Sequence, residues 1–223
     1  MNQLSIPYKN SNDITANLAT AVNDYLVHKS LNPHSFDSDL DSWINLRRNA
    51  IIHHNPNYQF EYLNHLNNLL LKFPSDLNLN FEYWLPFPND ASYSLNECYT
   101  LSDLNYERCC LLFNIGAYYS QKASHQSRSD TQSIKLALQD LQLSAGVFKS
   151  LIEDLSALPT STTPDLTSDF LNLLSTLMLA QAQECFWQKA VIDNLKNGTI
   201  AKISLGVCLL SLYKNINFYS TSC

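Results

Sequence analysis

Two adjacent pairs, His53–His54 and Cys109–Cys110, have the clearest potential for chemistry in this 223-residue sequence. Imidazole and thiolate groups are common zinc ligands. Adjacent side chains on a helix point about 100° apart, however, no third ligand is placed by spacing, and no C-x-x-C pair occurs. Both pairs are therefore predicted to be ordinary surface or core residues, and the sequence predicts no metal site and no cofactor.

The cysteines are the second place to look for chemistry. There are six of them, at Cys98, Cys109, Cys110, Cys185, Cys208 and Cys223. Five lie in strongly apolar segments, where a free thiol behaves as a small hydrophobic group, so a reduced, cytosolic chain is predicted. A Cys/His nucleophile pair could still meet in space. A thiol-dependent hydrolase therefore stays open as an alternative, and labelling the cysteines of the native protein would test it.

Catalytic and nucleotide-binding motifs are missing from the sequence. Its four glycines are isolated, which excludes a P-loop and a dinucleotide fingerprint, and neither G-x-S-x-G nor H-E-x-x-H occurs. Asp37, Asp39 and Asp41 alternate at a predicted helix start, where acidic groups suit the helix dipole. The formal net charge of −6 argues against nucleic acid as a partner. We predict a non-enzymatic protein, without a signal peptide or a membrane span.

The elements that would position any site are mostly helical. Residues 4–9 are predicted to form a short edge strand, because Pro7 cannot donate to a ladder. Asn12 or Asp13 then caps a first helix, a second helix covers 35–53, and Asn55-Pro56 begins a third. Alternating apolar residues over 77–85 predict a strand, with a return strand around 93–100.

Beyond Ser102 the pattern is helical throughout. The stretch 109–119 is apolar nearly all round, which indicates a central helix. A helix follows the loop 124–131, and a long helix is predicted over 166–197. Gly198 is expected as its left-handed C-cap and Thr199 as the cap of a last helix reaching about Tyr213. The predicted fold class is mostly α, a solenoid-like (tetratricopeptide-like) stack of about seven helices with a small antiparallel sheet in the N-terminal part.

The long helix contains the stretch "LMLAQAQECFWQKAV" (177–191), whose apolar run is interrupted by polar residues. Burying an amide or carboxylate without a partner costs a few kcal/mol. Gln181, Glu184 and Gln188 follow one stripe and are predicted to form hydrogen bonds with neighbouring helices or loops. Phe186 and Lys189, three apart, share a different face. On the residues alone, Phe186 is equally consistent with core packing.

Seven segments in a fixed order resemble the Bro-one (BRO) domain family, which includes ALIX and the fungal pH-response regulator PalA. They are "LSIP", "LRRNAI", "KFP", "FEYWLPF", "NYERCCLLFNIGAYYSQKA", "SAGVFKSL" and "LMLAQAQECFWQKAV". The "ECFWQKAV" form is most similar to the PalA branch. The resemblance implies one partial BRO domain over 1–223, with helices and the small sheet in 1–101 and a helical stack in 102–215. The V-shaped domain that follows in the family has no counterpart here.

The resemblance also implies a function. In the family, this domain is not an enzyme and binds the C-terminal amphipathic helix of the core ESCRT-III subunit. Carried over by position, the partner-binding residues are Phe186, Lys189, Thr199, Lys202 and Ile203, with Thr199 standing where the family usually has an apolar residue. The implied role is a cytoplasmic adaptor recruited to endosomes in fungal ambient-pH signalling, and the alternative is cargo sorting at multivesicular bodies.

The resemblance further implies that the chain stops before the family's domain normally ends. Terminal layers of a helical stack need a polar outer face. Leu205, Val207, Leu209, Leu210 and Leu212 are then too many to be buried by the preceding helix alone. The expectation is marginal stability or self-association of the 223-residue chain.

Overall fold

A computed structural model describes residues 4–87, 97–158 and 163–206 of the chain. The helices are α1 (Thr15–His28), α2 (Asp37–His53), α3 (Pro56–Leu70), α4 (Leu104–Ser124), α5 (Thr131–Asp154), α6 (Ser168–Ile192) and α7 (197–206, up to the last described residue), and the strands are β1 (Phe81–Trp84) and β2 (Cys98–Leu101). Short 3-10 turns cover Pro33–Phe36 and Leu155–Ala157. The predicted fold class, mostly α with a small antiparallel sheet, is confirmed.

The chain divides into two compact units. One unit comprises Met1–Pro7, Gly116–Leu155 and Pro164–Cys223, and the other comprises Tyr8–Ile115 and Ser156–Thr163. We call them the α5–α6 unit and the α1–α3 unit after the helices they contain. Helix α4 contributes its first half to the α1–α3 unit and its second half to the α5–α6 unit.

The α1–α3 unit packs its helices and the two-stranded sheet around large side chains. Helix α3 begins as predicted, with Pro56 at its first position and the Asn55 side chain accepting a hydrogen bond from the Asn57 amide. Strands β1 and β2 pair antiparallel, Phe81 opposite Leu101. The inward β1 residues are fully buried, which is the pattern of a half-buried strand. The first half of the predicted return strand, 93–96, lies outside the described residues, and β2 covers its second half.

The prediction of an N-terminal edge strand over 4–9 is wrong. In the α5–α6 unit the Gln181 amide takes the place of a partner strand, accepting from the Leu4 amide at 2.7 Å and donating to the Leu4 carbonyl at 3.1 Å. In the α1–α3 unit Asn114 does the same for both backbone groups of Lys9, at 2.7 and 2.9 Å. The segment is extended, but side-chain amides satisfy its backbone, which no local sequence pattern reveals.

The α5–α6 unit depends on a close approach between α4 and α5. A methyl group on Gly116 would lie 2.8 Å from the Phe148 ring, so only glycine fits there. The Ser144 hydroxyl donates to the Gly116 carbonyl at 2.8 Å, and Ser175 of α6 donates to the Ala145 carbonyl of α5 at 3.0 Å. These two hydroxyls fix α5 between its neighbours, since small residues let helices approach closely.

Helix α6 ends earlier than predicted, at Ile192 instead of about residue 197. The left-handed residue is Asn194, with φ of 52°, and not Gly198. Asparagine tolerates this conformation because its side chain is short and polar. Gly198 and Thr199 lie inside α7, which begins at residue 197, so both predicted caps are wrong. The predicted end of this helix near Tyr213 lies outside the described residues.

Candidate functional site

The two adjacent histidines contact different aromatic rings. The His53 ring lies 5.4 Å from the Tyr58 ring, whereas His54 stacks on Tyr8 with ring centroids 4.0 Å apart. Cys109 and Cys110 are fully buried. Within the described parts of the chain, no group of three or more metal-ligating side chains is present. The same parts contain no helix that is both long enough and apolar enough to cross a bilayer.

The polar residues of α6 divide into inward and outward groups. Gln181 is buried and holds the Leu4 backbone, as described above. Gln188 donates to the Glu184 carboxylate at 3.3 Å, one turn away on the same helix. The predicted hydrogen bonds of this stripe to neighbouring segments are therefore present for Gln181, while Glu184 and Gln188 bond to each other. Lys189 forms an ion pair with Asp193.

Phe186 is not a core residue. Its exposed fraction is 44%, although buried aromatic side chains are the rule in stable cores. Leu179, two turns earlier on the same stripe, is 43% exposed. The core-packing interpretation of Phe186 is therefore wrong, and an apolar strip on α6 is open to solvent.

Helices α6 and α7 form a hairpin whose register can be read from one contact. A four-residue connection, 193–196, reverses the chain, so the helices run antiparallel. A methyl group on Gly206 of α7 would lie 3.2 Å from Nε2 of Gln183 on α6. One turn further along each helix, Phe186 comes level with Lys202 and Ile203, and after a second turn Ala190 comes level with Thr199.

The helical period also shows where the Phe186 side chain points. At 100° per residue, Phe186 lies about 60° around α6 from Gln183, which meets α7. Ser175 and Asp193 point in the same direction from the α6 axis, and both contact α5. Phe186 points about 20° away from that direction. Phe186 therefore opens between α5 and α7, and we call this surface the Phe186 groove.

The three predicted residues of α7 lie on its α6-facing side. Measured around the α7 axis from Gly206, which approaches α6, Thr199 is about 20° away. Lys202 is about 40° away to one side, and Ile203 is about 60° away to the other. Thr199 and Lys202 are exposed and Ile203 is half-buried. The hairpin thus places Phe186 and the three α7 residues along one groove, while Lys189 lies about 60° around α6 from Phe186 on the side away from α7. The role of all five residues in binding stays a prediction.

Sequence reasoning missed two polar residues at the rim of this groove. Asp193, the C-cap of α6, pairs with Lys189 and accepts a hydrogen bond from the Thr131 hydroxyl of α5 at 3.1 Å. These two bonds, that from Lys189 first, hold the pKa of the Asp193 carboxyl below its usual value. A signal was available, because a carboxylate at a helix C-terminus opposes the dipole and needs compensation.

The chain belongs to the family of proteins with a BRO1-like domain, whose model matches residues 3–221. The resemblance inferred from the sequence is therefore confirmed. One relative is the pH-response regulator protein RIM20 of Yarrowia lipolytica, 33% identical over 94% of this chain and 27% of its own length. Another is ALG-2 interacting protein X of Dictyostelium discoideum, 40% identical over 66% of this chain and 18% of its own length. The chain spans about a quarter or less of the length of these two relatives.

Solved structures share the fold. The ALIX BRO1 domain from the complex with CHMP4C superposes with a TM-score of 0.82 at 25% identity, covering 97% of this chain and 64% of that one. The other partner in that structure is CHMP4C.

Proposed function

We propose that this chain is a non-enzymatic adaptor whose Phe186 groove binds the C-terminal amphipathic helix of the core ESCRT-III subunit. The observation that carries the proposal is the exposed Phe186 side chain between α5 and α7. Lys189 follows it by about one turn on α6, and Lys202 of α7 comes level with it in the hairpin register. A helix laid into an apolar groove flanked by charges is a common way to recognise a peptide. An acidic, amphipathic helix complements this surface in both shape and charge.

A titration with a peptide of the CHMP4C C-terminal helix tests the proposal. We expect saturable binding in the micromolar range. Phe60→Ala on α3 is the matched control for Phe186→Ala, because Phe60 is exposed to a similar extent, 40% against 44%, but belongs to the α1–α3 unit. Failure of the 223-residue chain to saturate at high micromolar peptide would remove the proposal.

We further propose a role in fungal ambient-pH signalling, with recruitment from the cytoplasm to endosomes. Support comes from the fungal pH-response regulator that is 33% identical over 94% of this chain. Cargo sorting at multivesicular bodies is the alternative within the same family. Deleting the gene in its source organism separates them, because the signalling role predicts loss of growth at alkaline pH with normal delivery of membrane cargo to the vacuole.

The thiol-dependent hydrolase gains no support from the described cysteines. Cys109, Cys110 and Cys185 are fully buried, and the Cys185 sulfur accepts a hydrogen bond from Arg128 at 2.7 Å. Cys98 is exposed, but partial burial and the nearby Glu82 carboxylate raise the pKa of its thiol. A raised pKa lowers the thiolate fraction that a nucleophile needs. Labelling of the native protein is expected to show no hyper-reactive thiol.

A further inference from the structure

The Lys189–Asp193 pair is placed against the local rules of helix stability. Asp193 is a carboxylate at the negative end of the α6 dipole. Lys189 precedes it by four residues, and this order of cation and acid is the less favourable one on a helix. Residues that oppose local stability without an evident structural gain often belong to functional sites.

Two further contacts keep Asp193 at the rim of the Phe186 groove. The Thr131 hydroxyl, in the first turn of α5, donates to Oδ1 of Asp193 at 3.1 Å, while Lys189 binds the other oxygen, Oδ2. The Lys135 ammonium, one turn along α5, acts on the same carboxylate. Asp193 is thus held from α5 as well as from α6. The Lys189 side chain is 26% exposed and that of Asp193 is 30% exposed, so a ligand in the groove can reach both.

We propose that Asp193 is a specificity-determining residue, an internal competitor that occupies Lys189 until a carboxylate of the bound helix replaces it. The inference rests on the proposed function of the Phe186 groove. An acidic side chain placed within reach of Lys189 offers the same interaction as Asp193 and releases Asp193 to Thr131 and Lys135. A neutral apolar helix gains nothing from this exchange. The pair therefore selects against apolar helices that would otherwise fit the groove, which is how an unfavourable element sharpens specificity.

The test is a double-mutant cycle on Lys189 and Asp193 with the CHMP4C C-terminal helix peptide at low ionic strength. Asp193→Asn keeps an oxygen that can accept from Thr131 but removes the charge. We expect it to tighten binding about threefold, within the usual range for exposed charge pairs. In the Lys189→Gln background the same change is expected to tighten binding by less than half as much. A peptide whose acidic residues are amidated should show no gain.

Two controls separate competition from a structural role. Thr131→Val removes the link to α5 without changing the charge, and its affinity is expected to stay within about twofold of the parent. Thermal unfolding of each variant reports any loss of fold. If Asp193→Asn weakens binding, leaves it unchanged, or tightens it equally with and without Lys189, Asp193 is not a competitor and the inference is overturned.

The outcomes distinguish this inference from the proposed function. Equal binding by the parent chain and Asp193→Asn keeps the proposed function and removes the inference. Saturable binding by the parent chain together with a Lys189-dependent gain in Asp193→Asn supports both. No binding by either chain removes both.

Discussion

Two cation–carboxylate pairs among the described residues lie in opposite surroundings. In the α1–α3 unit, Arg47 Nε lies 2.9 Å from Glu107 Oε1, with side-chain exposures of only 4% and 0%. In the α5–α6 unit, Lys189 pairs with Asp193 at exposures of 26% and 30%. Burial makes a charge costly to leave alone, whereas solvent makes its partner exchangeable. The first pair therefore belongs to the fold and the second is available for binding.

The buried pair is part of a larger network. Tyr62 donates to the same Glu107 oxygen at 3.0 Å, and Trp43 donates to the Tyr62 hydroxyl at 3.3 Å. Arg47 also donates to the Asn12 carbonyl at 2.9 Å. Burial opposes the charge on Arg47, but the Glu107 carboxylate outweighs it and the pKa of the guanidinium is raised. Such a network specifies one packing of α2, α3 and α4 because each member depends on the others.

The largest expected effect comes from breaking this buried pair. Glu107→Gln leaves the Arg47 charge without its counter-ion in the core, and we expect a loss of about 3–5 kcal/mol in the free energy of unfolding. Arg48→Ala is the matched control, since Arg48 lies 3.6 Å from Asp13 at exposures of 44% and 63%. That exposed pair is worth about 1 kcal/mol or less. Urea unfolding measures both, and equal losses would contradict the contrast between the buried and exposed pairs.

The second prediction concerns the centre of the groove. Phe186→Ala is expected to cost about 2 kcal/mol or more of binding energy for the CHMP4C peptide, because aromatic anchors in desolvated centres dominate interfaces. Lys196→Ala should cost less, as expected of a rim charge. Since Phe186 is 44% exposed, its loss of folding stability should fall well below the roughly 3–5 kcal/mol of a buried phenylalanine. Calorimetry and urea unfolding on the same samples separate the two quantities. A large stability loss with unchanged affinity would remove Phe186 from the site.

The apolar surface of the last described helices bears on the behaviour of the 223-residue chain. Trp187, Val191, Ile192 and Leu195 are between 36% and 42% exposed, and Leu205 is 60% exposed. Contiguous apolar surface of this kind favours association. We expect self-association that increases with concentration in light scattering, and a compact monomer with a sharp unfolding transition would contradict this. The other leucines and the valine of the original expectation lie outside the described residues.

The sequence was informative where a pattern is local and uninformative where a contact is distant. The period of 3.6 residues located helices α1 to α6, and Pro56 and Asn55 fixed the start of α3. The failures at residues 4–9 and 194–199 have different causes. Gln181 and Asn114 replace a partner strand from more than a hundred residues away, and Asn194 takes the left-handed turn expected of Gly198.

The candidate site divides in the same way. Phe186 and Lys189 could be paired from their spacing alone, whereas Lys202 and Ile203 came only from the family resemblance. The involvement of Thr131 needed the structure, because its contact with Asp193 joins residues 62 positions apart.

A fourth prediction uses pH to probe two half-buried imidazoles in the α1–α3 unit. Burial lowers the pKa of His54, and also that of His65, for which Asp39 opposes and Lys72 adds to the effect. A histidine with a lowered folded-state pKa binds fewer protons folded than unfolded. The contribution of this histidine to the free energy of unfolding is therefore complete above its unfolded pKa of about 6.5. It is lost as the pH falls from there through the lowered pKa of the folded state.

His54→Asn tests this dependence, because asparagine tolerates the left-handed backbone at φ of 45°. The substitution removes the stack on Tyr8, so the informative quantity is the slope of unfolding free energy between about pH 7 and 5 and not its absolute value. We expect a shallower slope. An unchanged slope in His54→Asn would contradict the prediction.

The smallest expected effects are at the groove rim, where Lys189→Glu and Lys202→Glu should each weaken binding of the CHMP4C peptide by about 1 kcal/mol. Both place a negative charge beside an acidic helix, and at Lys189 the new carboxylate also faces Asp193.

Lys149→Glu is the control, since the Ala145–Ser175 contact places Lys149 roughly 20 Å along the helix axes from Phe186. That separation exceeds the Debye length of about 10 Å in 0.1 M salt, so the distant charge is already largely screened while the charges at the rim are screened less. Raising the salt concentration should therefore reduce the effects of the two rim substitutions and leave the affinity of Lys149→Glu close to that of the parent chain. Calorimetric titrations across a salt series measure this. Equal salt dependence for all three variants would show that the helix responds to the overall charge of the chain and that Lys189 and Lys202 do not border its binding site.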